Sequence, residues 1–347
     1  MAEPDFKQRV EERLNQGLLG QWYVVAKSAD VPIGKTLPIK VLGRRLVLWR
    51  GSDGVHCLED YCPHRGARLS RGEVLGTQIA CRYHGVSLDG DGRIIQVPAM
   101  PECSLEGRKA ARSFVVREAC DAIFAYFPSL EKPEPDELEL PYELESDDYE
   151  RFLVTAPWAC NYRYAVDNIA DPMHGCYLHA GTFTLAYGAK QDLMQIEETE
   201  DGFIIGRVGQ RGTNFDWTEV VTDKSAFYCR LDIPYPQAGG PGGPMRILTF
   251  LTPVDENNCR IFFWRTRKVS GVAREAWRFL YRAKFEPRHW YVLEQDREML
   301  SDMPADARKR EMLYQHDIGV SRLRKILLSR AKAQIEHEDR AALQAAG

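Results

Sequence analysis

The sequence predicts an α+β protein of two domains, and three observations carry that expectation. Short β-rich stretches broken by Gly, Asp and Pro turns fill residues 22–127 and again 193–269. Helical periodicity appears at both ends of the chain, and an acidic, proline-bearing stretch lies between the two β regions. A length of 347 residues fits about two domains, and 44% apolar residues is enough to bury a core in each, so the chain can hold an enzyme.

Taken in order, residues 1–19 carry Phe6, Val10, Leu14 and Leu18 four apart behind a capping Asp5, which reads as one amphipathic helix docking on something larger. Residues 20–128 form the first domain. Strands are expected at 22–26, 45–49, 55–58, 114–117 and 123–127, with turns at 51–54 and 89–92, an antiparallel arrangement. Residues 129–150 form a connector. Between Glu131 and Glu150 there are ten acidic residues, one lysine and three prolines, so this stretch is expected to bury little and stay solvated.

Residues 151–347 form the second domain. Read as a helix, its opening puts Asp171 and His174 one turn apart on one face, with the helix ending or distorting near Gly175 so that His179 swings back. Strands are expected at 203–206, 217–221, 226–233, 245–251 and 259–265, with a glycine-rich loop at 239–244. Helical spacing returns at 272–285, is restarted by Pro287, and runs through 288–301. Val320, Leu323, Leu327, Ala331 and Ile335 mark a last amphipathic helix.

The chemistry starts from Cys62-Pro-His64 and Cys81-Arg-Tyr-His84, sixteen residues apart. Two loops that each offer one Cys and one His suit a [2Fe-2S] centre with two thiolates on one iron and two imidazoles on the other, the Rieske arrangement. Structural zinc is the alternative, since it also accepts two Cys and two His, although zinc loops usually pair like with like. Downstream, Asp171, His174 and His179 form a D-x2-H-x4-H string. Two His and a carboxylate on one face of Fe(II) is the ligand set of non-haem iron oxygenases. Asp296 lies among Val292, Leu293, Met299 and Leu300, where a carboxylate needs a metal or a cation; Arg288 and Arg297 are the candidate cations, and Glu294 is the substitute if the register differs.

At these residues the chain resembles the Rieske non-haem iron oxygenases, the aromatic-ring-hydroxylating type. Cys62-Pro-His-Arg-Gly66 and Cys81-x-Tyr-His-Gly85 look like that family's cluster loops, Asn168, Asp171, His174 and His179 match its N-x2-D-x2-H-x4-H motif, and Asp296 occupies the place of its third iron ligand. Val86 departs, because the family usually has Trp there. The resemblance implies a Rieske [2Fe-2S] domain of packed antiparallel sheets, then a catalytic domain in which helices cover one larger antiparallel sheet, with the N-terminal helix on the catalytic side. It implies a [2Fe-2S] cluster on Cys62, His64, Cys81 and His84, a mononuclear Fe(II) on His174, His179 and Asp296, and O2 as co-substrate. Asn168 sits beside the iron ligands, and Asp171 is carried over as the bridge of an electron path from His84 of one subunit to His174 of the next. A contact of that kind closes into a ring, most simply a homotrimer.

No G-x-G-x-x-G fingerprint follows a strand, so a separate ferredoxin or NAD(P)H-dependent reductase is the expected electron donor. The substrate is expected to be aromatic or otherwise flat and apolar. Phe183, Tyr187, Phe215, Trp217, Phe250 and Phe262 are candidate lining residues, and Arg207, Arg230 or Arg246 could pair a substrate carboxylate. Ring dihydroxylation, monohydroxylation and O- or N-demethylation all run on such an iron site. A reading of another class is a Rieske electron carrier whose C-terminal domain binds a ligand or partner.

The formal charge of −4, from 46 basic and 50 acidic residues without a basic tract, gives no reason to expect nucleic acid or an anionic membrane as partner. With no apolar signal core and no run near the ~18 apolar residues of a membrane span, a soluble cytoplasmic protein is expected. Nine cysteines, two of them on the cluster, leave Cys57, Cys103, Cys120, Cys160, Cys176, Cys229 and Cys259 as reduced core thiols.

Overall fold

Runs of β-branched and aromatic residues broken by tight turns pair with one another, and the strand pairs that result are antiparallel throughout. The computed structural model describes residues 5–182, 185, 189–209, 212, 215–235, 243–304 and 306–346. It divides into two units, Leu19–Leu138 and the combination of Met1–Leu18 with Glu139–Gly347.

The first unit runs β1 (Gln21–Lys27), β2 (Thr36–Val41), β3 (Arg44–Arg50), β4 (Val55–Glu59), β5 (Glu73–Leu75), β6 (Gln78–Ala80), β7 (Ser87–Leu88), β8 (Ile94–Gln96), β9 (Ser113–Phe114), β10 (Val116–Ala119) and β11 (Ala122–Phe127). These pair as three sheets, β1-β11-β10, β2-β3-β4-β9 and β5-β6-β7-β8. Strand β3 is shared between two cores by its period of two: Leu46 and Leu48 join Ile123 and Phe127, while Val47 and Trp49 join Leu58, Ile79, Leu88, Cys62 and Cys81. The single strand expected at 114–117 is two, because β9 pairs with β4 and β10 with β11, and the chain changes sheet at the exposed Val115.

The second unit runs α1 (Phe6–Gln16), α2 (Tyr142–Glu145), β12 (Tyr149–Trp158), α3 (Tyr162–Ile169), α4 (Gly175–Leu178), β13 (Met194–Thr199), β14 (Gly202–Arg207), β15 (Trp217–Val221), β16 (Tyr228–Ile233), β17 (Met245–Asp255), β18 (Asn258–Lys268), α5 (Gly271–Leu280), α6 (Glu286–Ser301), α7 (Ala307–Arg310) and α8 (Ile318–Ala346). Its seven-stranded sheet has the order β12-β18-β17-β16-β15-β14-β13, a meander with the earliest strand added at the far edge. Cys229, Leu231 and Ile233 of β16 and Cys259, Ile261 and Phe263 of β18 face a core with Val166 of α3, Trp277 of α5, Leu293 of α6 and Leu323 of α8. A π-turn at Tyr281–Phe285 joins α5 to α6, and Pro287 sits at the start of α6, where its missing N–H costs nothing.

At the N-terminus, Asp5 caps α1 by accepting from the Gln8 N–H at 2.7 Å. Val10, Leu14 and Leu18 are buried, and Arg9 and Arg13 pair with Asp339 and Glu338 of α8 at 2.5 and 2.8 Å. Helix α8 lies so close to the sheet that a Cβ on Gly319 would stand 2.3 Å from Ile205 Cδ1. Among the described residues no helix is long and apolar enough to cross a membrane.

The acidic stretch expected to be a solvated connector divides. Its first part folds back on the first unit, with the Trp22 indole N–H donating to the Asp136 carbonyl and the Tyr126 hydroxyl to that of Lys132, both at 2.9 Å. From Glu139 it belongs to the second unit, where Leu144 and Glu143 are buried and β12, which no expected strand covered, starts at Tyr149. The reason is pairing: Glu143 accepts from Arg246 at 2.5 Å and Arg230 at 3.3 Å, and Glu150 accepts from Arg278 at 2.7 Å. Arginines on the sheet and on α5 neutralise acids that composition alone would leave in water.

Burial pushes the Glu143 carboxyl up, but the Arg246 hydrogen bond and the two guanidinium charges push it further down, so the net direction is below the ordinary range. A depressed carboxylate adds stability above its unfolded pKa, about 4.3, and loses it as pH falls through the folded value. Glu143→Ala is therefore expected to destabilise the chain by about 2–3 kcal/mol at pH 7, since Arg230 and Arg246 keep Glu219 and Asp232 as partners. Denaturant titrations at pH 7 and in the acid range should find the gap between variant and wild type shrinking as pH falls below that of an ordinary glutamate.

Candidate metal centres

The two Cys–His loops of the first unit are built alike. In each, the Cys N–H donates to the carbonyl five residues on, Ala67 or Val86, at 2.8 Å, and the Gly four residues on donates back to the Cys carbonyl, at 2.9 Å for Gly66 and 2.8 Å for Gly85. Both glycines take left-handed backbone, φ 76° and 73°, which turns each loop sharply enough to close. Cys62 and Cys81 end up in an apolar core at 1% and 2% exposure, while His64 and His84 stand outside, their ring centroids 4.5 Å apart. Val86 lies in the same core at 5% exposure.

Burial pushes the Cys62 thiol up to about 11, opposed by the N–H groups of His64 and Arg65 and reinforced by the Cys81 thiol beside it. Two adjoining thiols, dry and with backbone donors already turned to one sulfur, fit an iron-sulfur centre that takes them as thiolates. The imidazoles form its exposed end. A hollow of about 480 Å³ lined by Gly66, Ala67, Arg68, Arg71, Arg82 and Tyr83 opens beside the loops.

In the second unit the helix expected to carry both Asp171 and His174 ends earlier, at Ile169. Pro172 disfavours helix at the residue before it, so Asp171 sits in a turn, its Oδ1 accepting the Met173 N–H at 2.8 Å. The chain then makes one helical turn, α4, with His174 at its start and His179 at its end. This turn, rather than a distorted longer helix, brings the two rings together, 5.2 Å apart and nearly perpendicular.

Asp296 reaches them from α6 at 7% exposure. Its Oδ1 lies 3.6 Å from His174 Nε2 and 3.3 Å from His179 Nε2, and the three ligand atoms fall within 4.8 Å of one another. Asn168 Nδ2 donates to the same Oδ1 at 3.2 Å. The far ring nitrogens are also held: His174 Nδ1 meets the Asp171 carbonyl at 2.5 Å and His179 Nδ1 meets Gln295 Oε1 at 3.0 Å. A carbonyl or amide oxygen can only accept, so each Nδ1 carries a proton and each ring turns its Nε2 to the shared centre. That donor set fits a divalent iron.

Gln295 carried no signal in the sequence beyond standing next to Asp296. Glu294 is exposed and paired with Arg297 on the solvent side of α6, so the alternative register does not enter the site. Burial lowers the basicity of His179, but the Asp296 and Gln295 contacts more than offset it.

Of the apolar candidates, Phe215 stands beside His174 with ring centroids 5.5 Å apart. Phe250 and Phe262 do not reach the site. They are cross-strand partners on the face of the sheet away from α3 and α6, and Trp217, next to Thr218 whose hydroxyl meets Ile169, points that way too. Phe183, Tyr187 and most of the 239–244 loop lie outside the described residues. The three candidate arginines have protein partners: Arg207 donates to Cys176 Sγ at 2.9 Å, Arg230 binds Glu219 and Glu143, and Arg246 binds Asp232 and Glu143.

Comparison with known proteins adds to this geometry. Residues 21–117 match the Rieske [2Fe-2S] domain, and residues 158–333 match the vanillate O-demethylase oxygenase C-terminal domain. The chain is 32% identical over 168 residues to the vanillate O-demethylase oxygenase subunit of Pseudomonas sp. (strain HR199 / DSM 7063), a match covering 46% of this chain and 45% of that one. It thus spans under half the length of that relative. It is 26% identical over 276 residues to the oxygenase component of 3-ketosteroid-9-alpha-monooxygenase from Rhodococcus rhodochrous, covering 73% of this chain and 69% of that one. In fold it is similar to the oxygenase of carbazole 1,9a-dioxygenase, solved in reduced complex with ferredoxin, with a TM-score of 0.71, 22% identity, and coverage of 96% and 95%.

The paired glycines yield a prediction. Gly85→Ala, left-handed and with Pro98 Cγ 3.0 Å from the new Cβ, should lose about 1–2 kcal/mol of stability and part of its inorganic sulfide. Gly107→Ala, equally left-handed at φ 81° with no neighbour within 4 Å of that position, serves as control and should keep its sulfide. Thermal unfolding and sulfide assay measure both.

Proposed function

Because this chain belongs to the family of oxygenases that join a Rieske [2Fe-2S] domain to the vanillate O-demethylase oxygenase C-terminal domain, we propose that it is the terminal oxygenase component of a multicomponent system, hydroxylating an aromatic or similarly flat apolar substrate. The observation that carries this reading is the convergence of His174 Nε2, His179 Nε2 and Asp296 Oδ1 with both Nδ1 atoms already committed. His174, His179 and Asp296 would hold the mononuclear iron, and Cys62, His64, Cys81 and His84 the cluster. When bound, the iron supplies O2 activation and the cluster supplies electrons one at a time. Oxidative demethylation is a second reading, supported by the vanillate-type domain and by the relative named for that reaction.

The chain's own groups prepare this chemistry. Asn168 and Gln295 hold Asp296 and His179 in place, and Phe215 keeps an apolar wall against His174. The short contact from His174 Nδ1 to the Asp171 carbonyl supports Asp171 as the last link of the electron path, with His84 of a neighbouring subunit as the first. Such a path needs a ring of subunits, and we take it to be a homotrimer. Exposed Arg65, Arg68, Arg71 and Arg82 rim the cluster imidazoles and suit an acidic electron carrier, a ferredoxin or the domain of an NAD(P)H-dependent reductase. No disulfide joins the nine cysteines, which suits a reducing compartment such as the cytoplasm, and a role in breaking down aromatic compounds follows from the substrate class.

Metal analysis tests the reading directly. Wild-type protein should hold one iron per chain beyond the two that go with its sulfide, and Asp296→Ala should lose that iron and turnover while keeping the visible absorption. Cys62→Ala should lose the absorption itself. An unaltered iron content in Asp296→Ala would remove the assignment. Asp171→Ala should keep cluster and iron and lose nearly all turnover. Mixed oligomers of His84→Ala and Asp296→Ala chains should regain partial activity; none in verified mixtures, beside normal mixtures with wild type, would place the electron path within one chain.

A further inference from the structure

Arg265 lies on β18 at 2% exposure, its guanidinium against Tyr281 of the turn between α5 and α6 and Trp290 of α6. Among the described residues its hydrogen-bond partner is the Tyr281 hydroxyl at 2.8 Å, its cation–π contact is Trp290 at 6.0 Å, and no carboxylate stands at ion-pair distance. Arginine stays charged in any protein setting, and a buried charge without a counter-charge is unfavourable enough that an anion is expected to complete it. Of the neighbouring charged groups, Arg267, two residues on along the same face, is itself a cation and lays its guanidinium over Trp277 and Tyr235 at 4.3 and 5.0 Å, and Glu286, whose charge reaches Tyr281, makes no ion pair with Arg265.

A second, independent group stands beside Tyr281, its ring centroid 5.6 Å from that of the tyrosine. His289 of α6 meets the Tyr235 hydroxyl through Nε2 at 2.7 Å, and its Nδ1 is buried without a partner. Burial pushes this imidazole well below its ordinary range, and the charges of Arg265 and Arg288 push the same way, so it is neutral and can offer an N–H. Phe152, the cross-strand partner of Arg265, stacks on Tyr281 at 3.9 Å, which makes one side of this region an aromatic wall. Residues 289, 293, 296 and 300 share one face of α6, and Leu293, Asp296 and Leu300 are buried along it.

We infer that Arg265, with the Tyr281 hydroxyl and His289 Nδ1, anchors a carboxylate carried by the substrate, so that this chain acts on an aromatic acid. His289 and Asp296 are two helical turns apart, about 10.5 Å along the axis. The anchor corrects where a substrate acid would be held, since Arg207, Arg230 and Arg246 are engaged elsewhere. The position of the reacting end rests on the oxygenase reading; the anchoring of the anion does not.

The test is equilibrium dialysis of the holoprotein against benzoate, 4-hydroxybenzoate and 3- and 4-methoxybenzoate, each beside its methyl ester. At least one acid should bind at least about tenfold tighter than its ester, and Arg265→Met should remove that preference while changing ester affinity less than about twofold. Arg265→Lys, which keeps a buried charge, should fall between and carries the comparison should the apolar variant not fold. Wild type that prefers no acid, or Arg265 variants that bind acids as wild type does, would overturn the anchor. Iron analysis on the same preparations separates the two readings: a missing mononuclear iron sinks the oxygenase assignment and leaves the acid-over-ester preference to decide Arg265.

Discussion

A carboxylate taken out of water has to be met by positive or proton-donating groups, and Asp296, at 7% exposure on α6, organises its half of the molecule through that requirement. Three nitrogens face its Oδ1: Nε2 of His174 and of His179, from the two ends of the single turn α4, and the amide of Asn168 from α3, which donates to it. For this to happen α3 must end before Pro172, α4 must be one turn long, and α6 must lie against the same face of the sheet. The turn at Asp171 then does two jobs. Its side chain closes the bend by accepting from Met173, and its carbonyl fixes the tautomer of His174.

The cluster loops obey a comparable rule by different means. There the groups taken out of water are thiols, held by two backbone turns with the same hydrogen-bond pattern, each completed by a left-handed glycine. The sulfurs go to the core and the imidazoles to solvent, so the same few residues insulate one end of the site and expose the other. Placing the exposed end among arginines gives that surface a sign as well as a position.

Much of this was legible in the sequence because metal-site residues are polar groups at spacings that packing does not require. Cys62, His64, Cys81 and His84 stood out by alternation of ligand type, and Asp296 by being a charge on an apolar stripe. Strands β14 to β18 of the meander were legible as β-rich stretches between turns, whereas β13, at Met194–Thr199, was covered by no expected strand. What was not legible depended on pairing across long sequence distances. Strand β12 and helix α2 were hidden inside a run of acids because their neutralising partners, Arg230, Arg246 and Arg278, lie some 85 to 130 residues further on. Proline at 172 was a local signal that outweighed the i,i+3 spacing of Asp171 and His174. Gln295 and Arg265 could not be singled out because nothing near them in sequence distinguishes a hydrogen bond inside from a side chain in water.

The order of strands in the seven-stranded sheet also says something about time. Strand β12, which leads into α3 and the two histidines, pairs with β18, and Tyr149 faces Lys268 across more than a hundred residues of intervening chain. Closing a loop of that size is slow, and α6 has no surface to lie on until the meander between them has formed. The three candidate iron ligands, His174, His179 and Asp296, therefore depend on pairing across a long loop, whereas each of the two Cys–His loops closes through bonds that span five residues.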